Sequence, residues 1–149
     1  MKYSSLKSLI LLCLILFIPL MALEAQTVLV HSASMSDKDD ETIRIYSQSA
    51  EAGIMDVLFN RGCIAFSDMS EADESGTLSL ALKTGADYVI SWSLVEEGLR
   101  GSLVKADESE SLNAVFVDET ELENLYKDPS ELYAALGSKL CESLVGDRW

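Results

Sequence analysis

One histidine, His31, three cysteines and a dense acidic run, Asp37-Lys38-Asp39-Asp40-Glu41, are the residues here whose types could do chemistry. A histidine can serve as a general base to a nearby serine or ligate a metal. Ser32 and Ser34 follow His31, but there is no G-x-S-x-G elbow to present a nucleophile. A lone histidine cannot build a histidine metal cluster, and Cys63 has no CxxC partner. The residues therefore assign no catalytic group, no metal-ligand set and no cofactor; a small hydrolase using His31 is one reading left over. In the acidic run, counting from Asp37, an EF-hand loop would need glycine at the sixth position and glutamate at the twelfth, where Thr42 and Gln48 stand. Carboxylates at a helix start oppose the positive end of its dipole, which accounts for the run without a ligand. Asp37, Asp39, Asp40 and Glu41 stay as candidate contacts for a small ligand or divalent cation, beside the carboxyl end of the first strand.

Other side chains point to surfaces. Nucleotide binding lacks its G-x-x-x-x-G-K-[ST] loop. Glu96-Glu97 and Glu119, Glu121 and Glu123 read as solvated turn charges, and Trp92 as core. Tyr126, Tyr133 and Trp149 are surface candidates, and the pair Arg148-Trp149 has the composition favoured at interfaces.

These residues follow an amino terminus that reads as an export signal. Lys2 and Lys7 precede an apolar run from Leu9 to Leu23, shorter than the ~20 residues a spanning helix needs. Ala22 and Ala25 supply the small residues of a signal-peptidase site, with cleavage expected after Ala25. Cys13 sits mid-run behind Leu12, where a lipobox would have a small residue, so no lipid anchor is expected. Loss of residues 1–25 removes Lys2, Lys7 and Glu24 and moves the net charge from −14 to −15. Such acidity excludes nucleic acid and anionic membrane as expected partners, because phosphate binding needs Lys and Arg clusters. Cys63 and Cys141 remain, an even pair that an oxidising compartment could join as a disulfide or leave as buried thiols.

The elements that must position these groups follow from periodicity. Thr27–Ala33 is a short apolar run, a strand covered on both faces. From Thr42 the spacing turns helical, with Ile43, Tyr46, Ala50, Ile54, Val57 and Leu58 on one face and Gly62 as the stop. Cys63–Ser67 is a second strand. A helix between Ser70 and Thr84 carries Leu78, Ala81 and Leu82 as its stripe, and Gly85 ends it. Tyr88–Val95 alternates strictly, and strands near Leu99–Ala106 and Leu112–Asp118 follow through short polar turns. Asp128-Pro129-Ser130-Glu131 then opens a helix with an N-cap and a proline at its first position, and Leu132, Leu136, Leu140 and Leu144 line it. The order is β-α-β-α-β-β-β-α. Helix-linked strands should be parallel and hairpin-linked ones antiparallel, giving an α/β fold with one mixed sheet over residues 26–149.

TVLVHSA, a helix ending LFNRGCIAFSD, then TGADYVISWSL, a meander and a closing helix together resemble a group of bacterial envelope domains. The group includes the amino-terminal domain of the Tol-system propeller protein, the penicillin-binding-protein activators, and curli-secretion and flagellar outer-membrane lipoproteins. The resemblance implies binding to other proteins or assembly into rings, without catalysis. The expectation is thus an exported, periplasmic or secreted interaction or assembly module. Its partner would be an envelope protein or the chain itself, with no stable membrane insertion after cleavage.

Overall fold

The computed structural model describes residues 25–33, 41–68 and 73–149. Strand β1 (Thr27–Ser32) is the apolar run TVLVHS, and it lies inside the sheet because both its faces are covered. Helix α1 (Glu41–Asn60) ends where Gly62 takes a positive φ of 78°, which turns the chain into strand β2 (Ile64–Asp68). Helix α2 (Glu74–Thr84) starts on Asp73, whose carboxylate accepts the Gly76 N–H, and stops on Gly85 in the left-handed conformation. Strands β3 (Tyr88–Val95), β4 (Gly98–Lys105) and β5 (Glu110–Asp118) form the expected meander. Helix α3 (Pro129–Val145) is capped by Asp128, which accepts the Ser130 N–H, with proline at its first turn.

The five strands form one mixed sheet in the order β2-β1-β3-β4-β5. β1 is parallel to β2 and β3, while β3, β4 and β5 are antiparallel. The fold is α/β, with the element order that the periodicities predict.

Alternation along each strand divides the side chains between two faces. Val28, Val30, Ile90, Trp92, Leu99, Leu103 and Val117 pack under α1 and α3 in the main core. There α1 and α3 approach backbone to backbone. A Cβ built on Gly53 would lie 2.0 Å from the Ala134 carbonyl oxygen, and one on Gly137 would lie 2.0 Å from that of Ala50. Ser138 Oγ also donates to the Gly53 carbonyl at 3.2 Å. Asn113 of β5 donates from Nδ2 to the carbonyls of Ser143 and Leu144, closing the end of α3.

Among the described residues the opposite face carries α2 alone, over a small cluster of Leu29, Ala81, Ala86, Val89 and Ala106. Here the expected stripe needs correction. Thr77 and Ala81 are the buried positions of α2, and Leu82 is 58% exposed. The small Ala81 lets the helix settle with Thr77 and Ala81, one turn apart, against the sheet. That rotation carries Leu82 outward.

Candidate functional site

β1, β3 and β4 present a line of polar residues on the α2 face, and the register explains it. His31 is paired with Asp68 of β2 on one side and Ser91 of β3 on the other, and Ser91 is paired with Ser102 of β4. With strands about 4.8 Å apart, Asp68, His31, Ser91 and Ser102 make a row across four strands. The last three of these lie along the floor of a groove of about 300 Å³. His31, Ser91 and Ser102 line it with Ala33, Leu78, Val89 and Val104, and Asp73, Glu74 and Thr77 of the α2 amino terminus form its wall.

His31 is the buried centre of this arrangement, 4% exposed. Its Nδ1 lies 3.4 Å from Asp68 Oδ2, near enough for electrostatic attraction, while Nδ1 has no hydrogen-bond partner. Part of the α2 amino terminus is already engaged by Asp73. Asp73 Oδ1 takes the Gly76 N–H at 2.8 Å, and the Asp73 carbonyl takes both the Thr77 N–H and the Thr77 hydroxyl. Asp73 and Glu74 are exposed at the mouth, and among the described residues no lysine or arginine lines the groove.

Apart from His31, the described residues expected from sequence do not line this groove. Asp37, Asp39 and Asp40 lie outside the described residues, and Glu41 opens α1 as an exposed group 3.5 Å from Arg44. Among the described residues, no group of three His, Cys, Asp or Glu could hold a metal ion. Arg148 is exposed, while Trp149 folds back, its ring 5.0 Å from that of Tyr88. Arg61 holds this tail by donating to the carbonyls of Gly146 at 2.5 Å and Trp149 at 3.3 Å.

Tyr133 is not a surface residue. It stacks on Tyr46 with ring centroids 4.4 Å apart and donates its hydroxyl to Glu119 Oε2 at 2.8 Å. Burial, reinforced by that carboxylate, pushes its phenol pKa up. Glu119 is therefore engaged with α3, as is Glu121, which pairs with Lys139. Neither is a free turn charge. Trp92 lies in the core, as expected.

Cys63 and Cys141 are free buried thiols in the main core. Burial raises both, Cys141 to about 12, and Cys63 is near enough to contribute to the rise at Cys141.

No protein-family model matches the chain, and no curated protein matches it. Solved structures do share its fold. The PelC dodecamer from Paraburkholderia phytofirmans aligns with a TM-score of 0.53 at 18% identity, over 80% of this chain and 86% of that one. The L103M form of the same dodecamer aligns at 0.51 and 14% identity, over 80% and 88%. At these identities the likeness is one of fold.

Asp68, Asp73, Glu74, Ser91 and Ser102 are site residues that sequence reasoning passed over. Their one legible signal was polarity in step: Ser91 and Ser93 interrupt the face of β3 that Val89 and Val95 also occupy. Recognising them as a row required the register of four strands.

Proposed function

We propose that this protein is an exported, non-catalytic assembly or protein-interaction module of a bacterial cell envelope, acting in the periplasm or outside the cell. The observation that carries the reading is the likeness of its fold, over 80% of the chain, to a protein that forms a dodecamer. The amino-terminal pattern of Lys2, Lys7 and the apolar run to Leu23 supports export, and the net charge of −14 keeps the partner from being a polyanion. The elements that the sequence shares with envelope interaction domains support the same class of role.

Sedimentation velocity of the purified protein, over a hundredfold range of concentration, tests this. A homo-oligomer, or one defined complex with a copurified envelope protein, is the expected result. A monomer throughout, with no partner recovered by crosslinking in the envelope, would remove the reading.

A further inference from the structure

The described sheet ends in two edges, β2 on one side and β5 on the other. Edge strands of soluble proteins are commonly blunted by central lysines or by proline. These two are not. β2 (IAFSD) and the part of β5 beyond its bulge (NAVFVD) carry charge only at their last residue. Each edge also shows a large apolar side chain to water. Ile64 of β2 is 57% exposed, with Phe59 exposed at the end of α1 just before it, and Phe116 of β5 is 46% exposed. We propose, resting on the assembly role above, that copies of this chain join head to tail, with β5 of one copy pairing in parallel with β2 of the next.

Three features of the two edges match. Direction comes first. β2 and β3 run parallel to β1, and β4 and β5 each reverse, so β5 runs the same way as β2. A second copy moved sideways along the sheet, without being turned over, therefore meets β5 as a parallel neighbour. Hydrogen-bond phase comes second. The Ile64 N–H donates to the Gln26 carbonyl at 2.8 Å, so Ile64 and Phe66 turn their backbone groups toward β1, and Ala65 and Ser67 turn theirs outward. The Glu119 N–H donates to the Glu97 carbonyl at 2.9 Å. Stepping along the register from there turns Val117 and Val115 toward β4, and Phe116 and Ala114 outward. The outward groups of Ala114 and Phe116 then meet those of Ala65 and Ser67 in the next copy, as a parallel ladder requires. Side chains come third. Val115 and Val117 of β5 and Ala65 of β2 pack in the main core, so their alternates Phe116 and Ile64 share the α2 face. The pairing sets Phe116 against the Ile64 end of the neighbouring β2, and both leave water.

A two-fold pair of β5 edges is the competing arrangement. It would leave Ile64 and Phe59 in water and the β2 edge open. A head-to-tail contact uses two different patches of one chain, so it repeats from copy to copy into a ring or a filament, where a two-fold contact stops at two.

Blocking one edge at a time tests this. Ala114→Pro removes an N–H that points out of the sheet, so it spoils the β5 edge without costing a bond to β4. Phe116→Lys spoils the same edge with the backbone intact, and takes the place of the proline variant if that one melts well below the parent. Ile64→Lys, at an exposed position, spoils the β2 edge. In sedimentation velocity each variant alone should be a monomer at concentrations where the parent is assembled. Ala114→Pro keeps a sound β2 edge and Ile64→Lys a sound β5 edge, so an equimolar mixture should give a heterodimer and nothing larger. Assembly that survives Ile64→Lys or Phe116→Lys would overturn the head-to-tail pairing and leave the assembly role standing. A mixture that stays monomeric would overturn it in the same way. A parent that is monomeric throughout would overturn it too, and the broader role would then fall only if no envelope partner is recovered.

Discussion

On the α1/α3 face of the sheet, glycine backbones meet carbonyls, and Leu136, Leu140 and Leu144 of α3 share one core with Leu99 and Leu103 of β4. On the α2 face, α2, 11 residues long, rests on alanine and threonine and leaves a polar groove beside it. The same strands supply both faces, so the difference comes from alternate residues of one sequence. Ile90 and Trp92 point to the first face, and Val89 and Ser91 to the second. Apolar area removed from water is worth about 25 cal/mol per Å², so the first face carries most of the stability. The second is left free to keep a buried histidine and two serines at a modest cost.

The largest effect that could break this contrast is at the helix crossing. Gly137→Ala places a methyl against the Ala50 carbonyl, and neither backbone can yield without separating α1 from α3. It should cost at least about 3 kcal/mol in urea denaturation, or prevent folding. Leu140→Ala, which opens a cavity beneath α3 where Gly101 packs against Leu140, should cost about 2–5 kcal/mol.

A pH series sharpens the same point. The folded state raises the Cys141 thiol from 9.0 to about 12 by burial, so it prefers the neutral form. A raised folded value contributes stability in full below about pH 9, and that stability is lost as pH climbs from 9 toward 12. Unfolding measured across this window should steepen with pH in the parent and flatten in Cys141→Ala. An identical slope in the two would place the alkaline loss on another group, with Tyr133 next in line. In the same protein, alkylation before and after reduction shows whether Cys63 and Cys141 have joined. At pH 8 free thiols here should react only on unfolding.

Effects on the α2 face should be small. Leu78→Ala should cost less than about 1.5 kcal/mol, because the side chain is only partly buried. Ser91→Ala should move stability by less than about 0.5 kcal/mol.

The contrast also explains what the sequence made legible. Element order was readable because each element has its own period: strict alternation from Tyr88 to Val95, and leucines every fourth residue from Leu132 to Leu144. Start and stop signals such as Asp128-Pro129 and Gly85 act locally, and the structure uses them. What stayed hidden depends on groups far apart in the chain. Gly53 reaches Ala134, and Gly137 reaches Ala50, only once α1 and α3 cross, although Ala50/Gly53 and Ala134/Gly137 have the small-residue spacing of a close helix contact. Leu82 had the spacing of a buried residue, but the depth to which Ala81 sinks on the sheet decides the rotation of α2. Tyr133 had the look of a surface aromatic until Tyr46 and Glu119 were brought to it. The row from Asp68 to Ser102 needed both the strand order and the register.

Native-state hydrogen exchange tests the division of labour most directly, since it reads the opening free energy of each helix separately. Amides of Ile54–Leu58 in α1 and Leu136–Leu144 in α3 should exchange only through global unfolding, at the free energy that denaturation gives. Amides of Leu80–Lys83 in α2 should open at a clearly lower free energy. Equal protection in all three helices would contradict the account, because stability would then be shared by both faces of the sheet.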